Sequence, residues 1–400
     1  FSDTISTPID PQPLIRAPMP KVACQGDDMT TMVRARNAMV AATVIAVAAS
    51  PIAVAATTNA STTDAGAAPT TATASPDPTP VSPSLTGSTE SRTARALQPT
   101  APSSKRIPGT KCRAFPASNA WHADISALPV HPRSAQWLAS TDAATTDLHP
   151  DFGPSFGEQP VPYGIPITVV KSKKKPKQRV RFGYADESDN VRYPLSRKTK
   201  IEGGQNASGD RHAIVVHAKT CKLYETWNTR LTNAGWTAGS GAVWSLKSNK
   251  LRPAGWTSAD AAGLPILPGL LRWDEVTSGK VDHAIRFTIG SSHNSYLWPA
   301  RHRAGSTNDP AVPPMGARFR LKSSFNVAGY SAHARVILRA MQRHGMVVAD
   351  NGSDWYLQGT SDARWPNSLI SELKRIPASG FEAVDTAPLP LSANSGKARR

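Results

Sequence analysis

From Ala56 to Lys105 the chain is mostly Ala, Thr, Ser and Pro with almost no large apolar residue, whereas all ten of its tryptophans lie between Trp121 and Trp365. A tract that buries so little apolar surface cannot offset the entropy of ordering its backbone. Residues 57–107 therefore read as a linker or stalk, residues 108–388 as a single folded domain, and residues 389–400 as a basic tail.

Upstream of the linker, MTTMVRARNAMVAATVIAVAASPIAVAA has the three parts of an export signal. Arg34 and Arg36 supply the cationic start, Ala41 to Ala49 the apolar run, and Ala53, Ala55 and Ala56 the small residues of a cleavage site. Pro51 leaves the apolar run shorter than the ~20 residues a membrane span needs, so a cleaved signal at 29–56 is expected, with no stable span after cleavage. Residues 1–28, including Cys24, then read as upstream sequence outside the native protein, and the product as secreted or held at the cell envelope. Export makes a disulfide the simplest reading of the remaining cysteines, Cys112 and Cys221, with two buried thiols as the alternative.

The net charge of +17 and the run KSKKKPKQRVR (171–181) point to an anionic partner or to a solvated, lysine-protected sheet edge. An exported protein seldom takes nucleic acid as its ligand, so the expected partner is an extracellular polysaccharide, an acidic one included. No nucleotide-binding motif occurs, and no cofactor is expected.

Most of the body reads as short strands rich in β-branched and aromatic residues: YGIPITVV, RHAIVVHA, CKLYETWN, GAVWSL, VDHAIRFTI, SYLWPA, ARFRLKS, GMVVAD and DWYLQG. Two helices interrupt them. SAHARVILRAMQRHG has Ser331 as cap and Gly345 as stop, and NSLISELKRIP has Asn367 as cap and Pro377 beyond its end. The fold class expected is mostly β, an antiparallel sandwich or jelly-roll-like domain with two or three short helices, with α+β as the alternative.

Candidate chemistry gathers in three places. GDRHAIVVHAKTCKLYETWN sets Asp210 near His212 and puts Glu225 on the face of Leu223 and Trp227; if the two strands form a hairpin, Glu225 and His212 share a groove, and burial raises the carboxyl towards general-acid use. VDHAIRFTIGSSHNSYLWPARH reads as two strands joined by a polar turn. Alternation puts His283 on the apolar face of the first strand, and the second presents Tyr296 and Trp298 before Pro299 leaves Arg301 and His302 at a strand end. ADNGSDWYLQG places Asp350 and Asn351 at a turn, where they can accept sugar hydroxyls or simply close the turn. Histidines 212, 217, 283 and 302 lack the HxH or HxxxH spacing of metal ligands, so no metal residue is assigned.

The motifs GDRHAIVV, SADAAGLPILPGL, VDHAIRF, WPARH, PPMGARFRLK and VVADNGSDW resemble a family of exported bacterial proteins of no assigned activity. The resemblance runs from KCRAFPASNAW to FEAVDT and implies one integral domain behind a signal and linker. It assigns no reaction.

The functional expectation is an exported carbohydrate-active protein with Glu225, His212, Tyr296, Arg301 and His302 as acid, base and anion-stabilising groups, and Asp210, Trp227, His283, Trp298, Asp350 and Asn351 as substrate contacts. On a polyuronate, Arg301 would neutralise the carboxylate while Tyr296 or His302 exchanged the C5 proton, which is a lyase. On a neutral glycan, Glu225 and a second carboxylate would form a hydrolytic pair. The alternatives are a non-catalytic wall- or matrix-glycan-binding module and a metal-dependent hydrolase.

Overall fold

The computed structural model describes residues 105–156, 161, 163–172 and 176–399. The expected signal and nearly all of the linker lie outside the described residues, as do residues 173–175 of the lysine-rich run. Within the described residues no helix is long and apolar enough to cross a membrane.

The strands in chain order are β1 (His149–Asp151), β2 (Ile167–Val170), β3 (Val180–Phe182), β4 (Ala213–His217), β5 (Lys222–Trp227), β6 (Arg230–Thr232), β7 (Gly235–Ala238), β8 (Ser240–Ser245), β9 (Ile285–Ile289), β10 (His293–Tyr296), β11 (Pro314–Met315), β12 (Arg318–Leu321), β13 (Met346–Asn351), β14 (Tyr356–Gln358) and β15 (Phe381–Val384). They form a six-stranded sheet in the order β1-β14-β9-β13-β12-β15, a four-stranded sheet β2-β4-β5-β8, a three-stranded sheet β3-β7-β6 and the pair β10-β11. The body is β-rich with a few short helices, as expected.

The sheets are mixed, however, where antiparallel ones were expected. Of the eleven ladders among the described residues, five are parallel: β1/β14, β10/β11, β13/β9, β2/β4 and β3/β7. Each parallel pair joins segments distant in sequence, which local patterning cannot reveal.

The four-stranded sheet is buried on both faces. Ile214, Val216, Leu223, Ala242 and Trp244 face the main core, while Ala213, Val215 and Tyr224 face a second core with Val180, Tyr193 and Trp236. That is why RHAIVVHA is a continuous apolar run rather than an alternating one. In the six-stranded sheet β9 is buried along its whole length, flanked by β13 and β14.

With both neighbours of β9 occupied, the expected hairpin with the following strand does not form, and β10 pairs with β11 instead. Residues 281–284, read as the start of that strand, lie outside it.

The helix Ala332–Arg343 buries Ala334, Ile337, Leu338, Ala340 and Met341 against the core, with the Ser331 hydroxyl accepting from the Ala334 amide at its start. Gly345 ends it at φ +69°, a position where a Cβ would meet the Phe319 carbonyl oxygen at 2.4 Å. In the helix Asn367–Leu373, Asn367 is the first helical residue rather than the cap, because Pro366 takes the cap position.

Residues 389–399 are packed onto the body rather than trailing as a tail. The Ala120 amide donates to Gly396 O (2.7 Å) and the Ala398 amide to Ser118 O (2.8 Å), and Leu389 and Ala398 are buried. A disulfide joins Cys112 to Cys221 across a separation of 109 residues, with Cα atoms 5.4 Å apart.

Candidate functional site

The hairpin of β4 and β5 pairs Ile214 with Glu225, which puts His212 and Glu225 on one face. Glu225 is fully buried and accepts the Ile266 amide (2.9 and 3.1 Å) and the Leu267 amide (2.9 Å). Burial pushes its carboxyl up to about 7, against the pull of those two amides. The carboxyl ties the segment 266–267 to the sheet and meets no solvent.

His212 is equally enclosed. Its Nδ1 lies 2.7 Å from Glu202 Oε2 and its Nε2 3.1 Å from the Ala259 carbonyl. Both partners are acceptors, so the ring satisfies both only when it holds two protons. Burial opposes that charge, but the Glu202 carboxylate overrides it and raises the imidazole to about 9. An imidazolium at neutral pH has no lone pair for base catalysis, so the structure gives His212 a fixed positive charge in place of the base role expected of it.

Next to these groups β9 contributes Arg286, whose Nε and Nη2 donate to Asp260 Oδ2 (3.0 Å) and Oδ1 (2.6 Å) in a bidentate buried pair. Asp260 is set by the turn 258–263: its amide donates to Ser258 Oγ (2.9 Å), and the Ala262 amide donates to Ala349 O (2.9 Å), fastening the turn to β13. Asp350 sits where the β9/β13 register shifts, with Oδ2 3.9 Å from Arg286 Nη2 and its side chain 28% exposed. Burial first and the Asp260 carboxylate second raise its pKa, Asp210 adds to the rise, and Arg286 and His212 hold it back.

Asp210 lies on the same rim, accepting from Trp227 Nε1 at 3.5 Å. Trp227 is half-buried, with Tyr184 tilted against it at 6.4 Å. Gly239 makes room for it, since a Cβ there would lie 2.1 Å from the indole. Asn351, the next residue of β13, lies off this rim: its Oδ1 accepts from Ser292 Oγ and its Nδ2 donates to Ala304 O, both at 2.8 Å.

The structure therefore brings together Asp210, His212, Glu225, Trp227 and Asp350, but not Asn351. The other candidates lie elsewhere or hold the fold. Arg301 spends its guanidinium on Arg252 O, Ala393 O and Asn394 Oδ1, so it clasps the 393–394 segment. His302 donates Nδ1 to Ala261 O (2.8 Å), bracing the turn that carries Asp260, and its Nε2 is 3.7 Å from Glu187. Tyr296 packs half-buried against the main core, and Trp298 donates to Ser395 O (2.9 Å). His283, 1% exposed, is sealed between Glu275 Oε2 (3.1 Å) and Ala284 O (2.8 Å).

Sequence reasoning missed Glu202, Asp260 and Arg286. Arg286 alone left a trace, as a cation in the middle of a strand with apolar neighbours. No group of three His, Cys, Asp or Glu side chains is arranged to hold a metal among the described residues. No protein-family model, curated protein or solved structure matches the chain.

The His212–Glu202 pair gives stability a definite pH dependence. Its folded pKa, about 9, lies above the unfolded value of 6.5, so its contribution is complete below pH 6.5 and is lost as pH rises through 9. That loss is on the order of 3 kcal/mol. His149 and His344, driven down by burial to about 4 and about 3, act in the other direction and weaken the fold as pH falls from 6.5. Urea midpoints should fall between pH 7 and 9, and His212→Gln should flatten that limb; a variant that keeps the same slope would remove His212 as its origin.

Proposed function

We propose that the chain is an exported carbohydrate-active protein that hydrolyses a glycan at the Asp350–Asp210 rim. The observation that carries this reading is Asp350, a partly exposed carboxyl whose pKa is raised by burial and by Asp260, with Asp210 as a second carboxylate close by. A carboxyl raised in pKa beside a second carboxylate is the equipment of glycoside cleavage.

Asp350 in its protonated form donates to the glycosidic oxygen as the bond to the anomeric carbon breaks. Asp210 takes a proton from the water whose oxygen bonds to that carbon. Arg286 and Asp260 act through Asp350, since their pairing fixes the charge around it. The Trp227 ring stands beside Asp210 to receive the sugar.

The test is mass analysis of products after incubating the full chain with neutral and acidic polysaccharides. Saturated oligosaccharides are expected, and Asp350→Asn should lower turnover by about 10²–10⁴-fold with an unchanged thermal melt. Unsaturated uronide products would replace hydrolysis by the lyase reaction. The tilted Tyr184–Trp227 pair favours a second reading, a glycan-binding module without turnover. Tight glycan binding with no product from folded protein would establish that reading and end the first.

A further inference from the structure

A concave groove of about 660 Å³ opens between the loop 197–205 and the turn 361–363, a volume in the range of small-ligand sites. Arg197, Lys198 and Lys200 line one wall, all three exposed. The opposite wall is Ser361, Asp362 and Ala363, and Asp362 is already neutralised by Arg364 through contacts of 2.9 and 2.6 Å. The cations of the loop are thus left in excess within the groove.

The cationic wall is held in shape from behind. Buried Arg211 donates to Gln205 O (2.9 Å), Ala207 O (2.5 Å) and Thr229 O (3.0 Å), pinning the loop to the end of β5. The Lys200 amide donates to Thr168 Oγ1 (2.9 Å), and Gln205 Nε2 to Thr199 O (2.7 Å). Glu202 in the same loop is the partner of His212, so the loop that carries the cations is also tied to the residues around the carboxyl rim.

We propose that this groove binds the carboxylates of an acidic polysaccharide, a uronate-containing chain, which names the substrate class on the reading given above. Cations interspersed with serine and glutamine suit a ligand carrying both negative charge and hydroxyls. A single-stranded nucleic acid would call for aromatic rings on which to stack its bases, and among the described residues the groove lining has none.

Titration calorimetry on the full chain with polygalacturonate and alginate, against a neutral β-glucan, tests this. The uronates should bind, and the triple variant Arg197→Ser, Lys198→Ser, Lys200→Ser should weaken them by about tenfold or more, as should about 0.5 M salt. The charge reversals Lys198→Glu and Lys200→Glu, made singly, give the same reading should the triple variant fail to fold. Unchanged uronate affinity in the variants, equal binding of the neutral glucan, or binding of neither uronate overturns the proposal. An oligothymidylate bound more tightly and lost in the triple variant also overturns it, in favour of nucleic acid. Turnover of a neutral glycan without uronate binding would sink this site and leave the hydrolase standing; uronate binding without turnover of any glycan would do the reverse.

Discussion

Asp260→Asn is expected to destabilise the fold by about 3–5 kcal/mol, because it leaves the Arg286 guanidinium buried without its counter-charge. Arg286 is 2% exposed, and its other carboxylate neighbour, Asp350, stands 3.9 Å away and not in the bidentate geometry that Asp260 provides. Urea unfolding monitored by tryptophan fluorescence measures the loss. The double variant Asp260→Leu with Arg286→Met should recover much of it, since the desolvation cost then disappears along with the attraction. A loss below about 1 kcal/mol in the single variant would show that the pair is not sealed from water. The same substitution removes the charge that, after burial, does most to raise Asp350, so the alkaline limb of turnover, set by loss of the Asp350 proton, should move to lower pH.

Opening the Cys112–Cys221 bond is expected to cost about 3–5 kcal/mol, at the upper end for one disulfide because the enclosed loop is long. Its closure spans 109 residues and ties the segment around Cys112 to the residue that precedes β5. Urea midpoints with and without reductant, and the pair Cys112→Ser with Cys221→Ser, measure the effect. Equal midpoints under both conditions would mean that residual structure in the unfolded chain already holds these two segments together, so that the bond adds no further restriction.

The elements legible in the sequence were those whose signal is local. The β4/β5 hairpin and its consequence, Glu225 and His212 on one face, followed from two neighbouring strand patterns. The Ala332–Arg343 helix followed from a cap, a stripe and a terminal glycine.

Long-range pairings were not legible. Asp260 reads in the sequence as a turn residue, and nothing local to it announces an arginine 26 positions later. Arg301 and His302 looked available because Pro299 breaks the strand before them, yet their partners come from residues 252, 393, 394 and 261. His283 was assigned to a face by extending the strand backwards, but β9 begins only at Ile285, and the histidine turns to Glu275 instead.

The packed segment 389–399 has a consequence for the order in which the fold is made. A chain emerging from its N-terminus exposes Arg301, Trp298 and Ala120 long before residues 393–396, which accept their hydrogen bonds, are synthesised. Until then a guanidinium that ends up 6% exposed has no second or third acceptor. Burying it early would cost more than leaving it in water. The turn that positions Asp260 rests on the same strand end, since the Arg301 and His302 amides both donate to Ala262 O. The rim around Asp350 is therefore among the last parts of the body to set, and a chain cut before Ala393 would carry every residue of the rim without the clasp that fixes it.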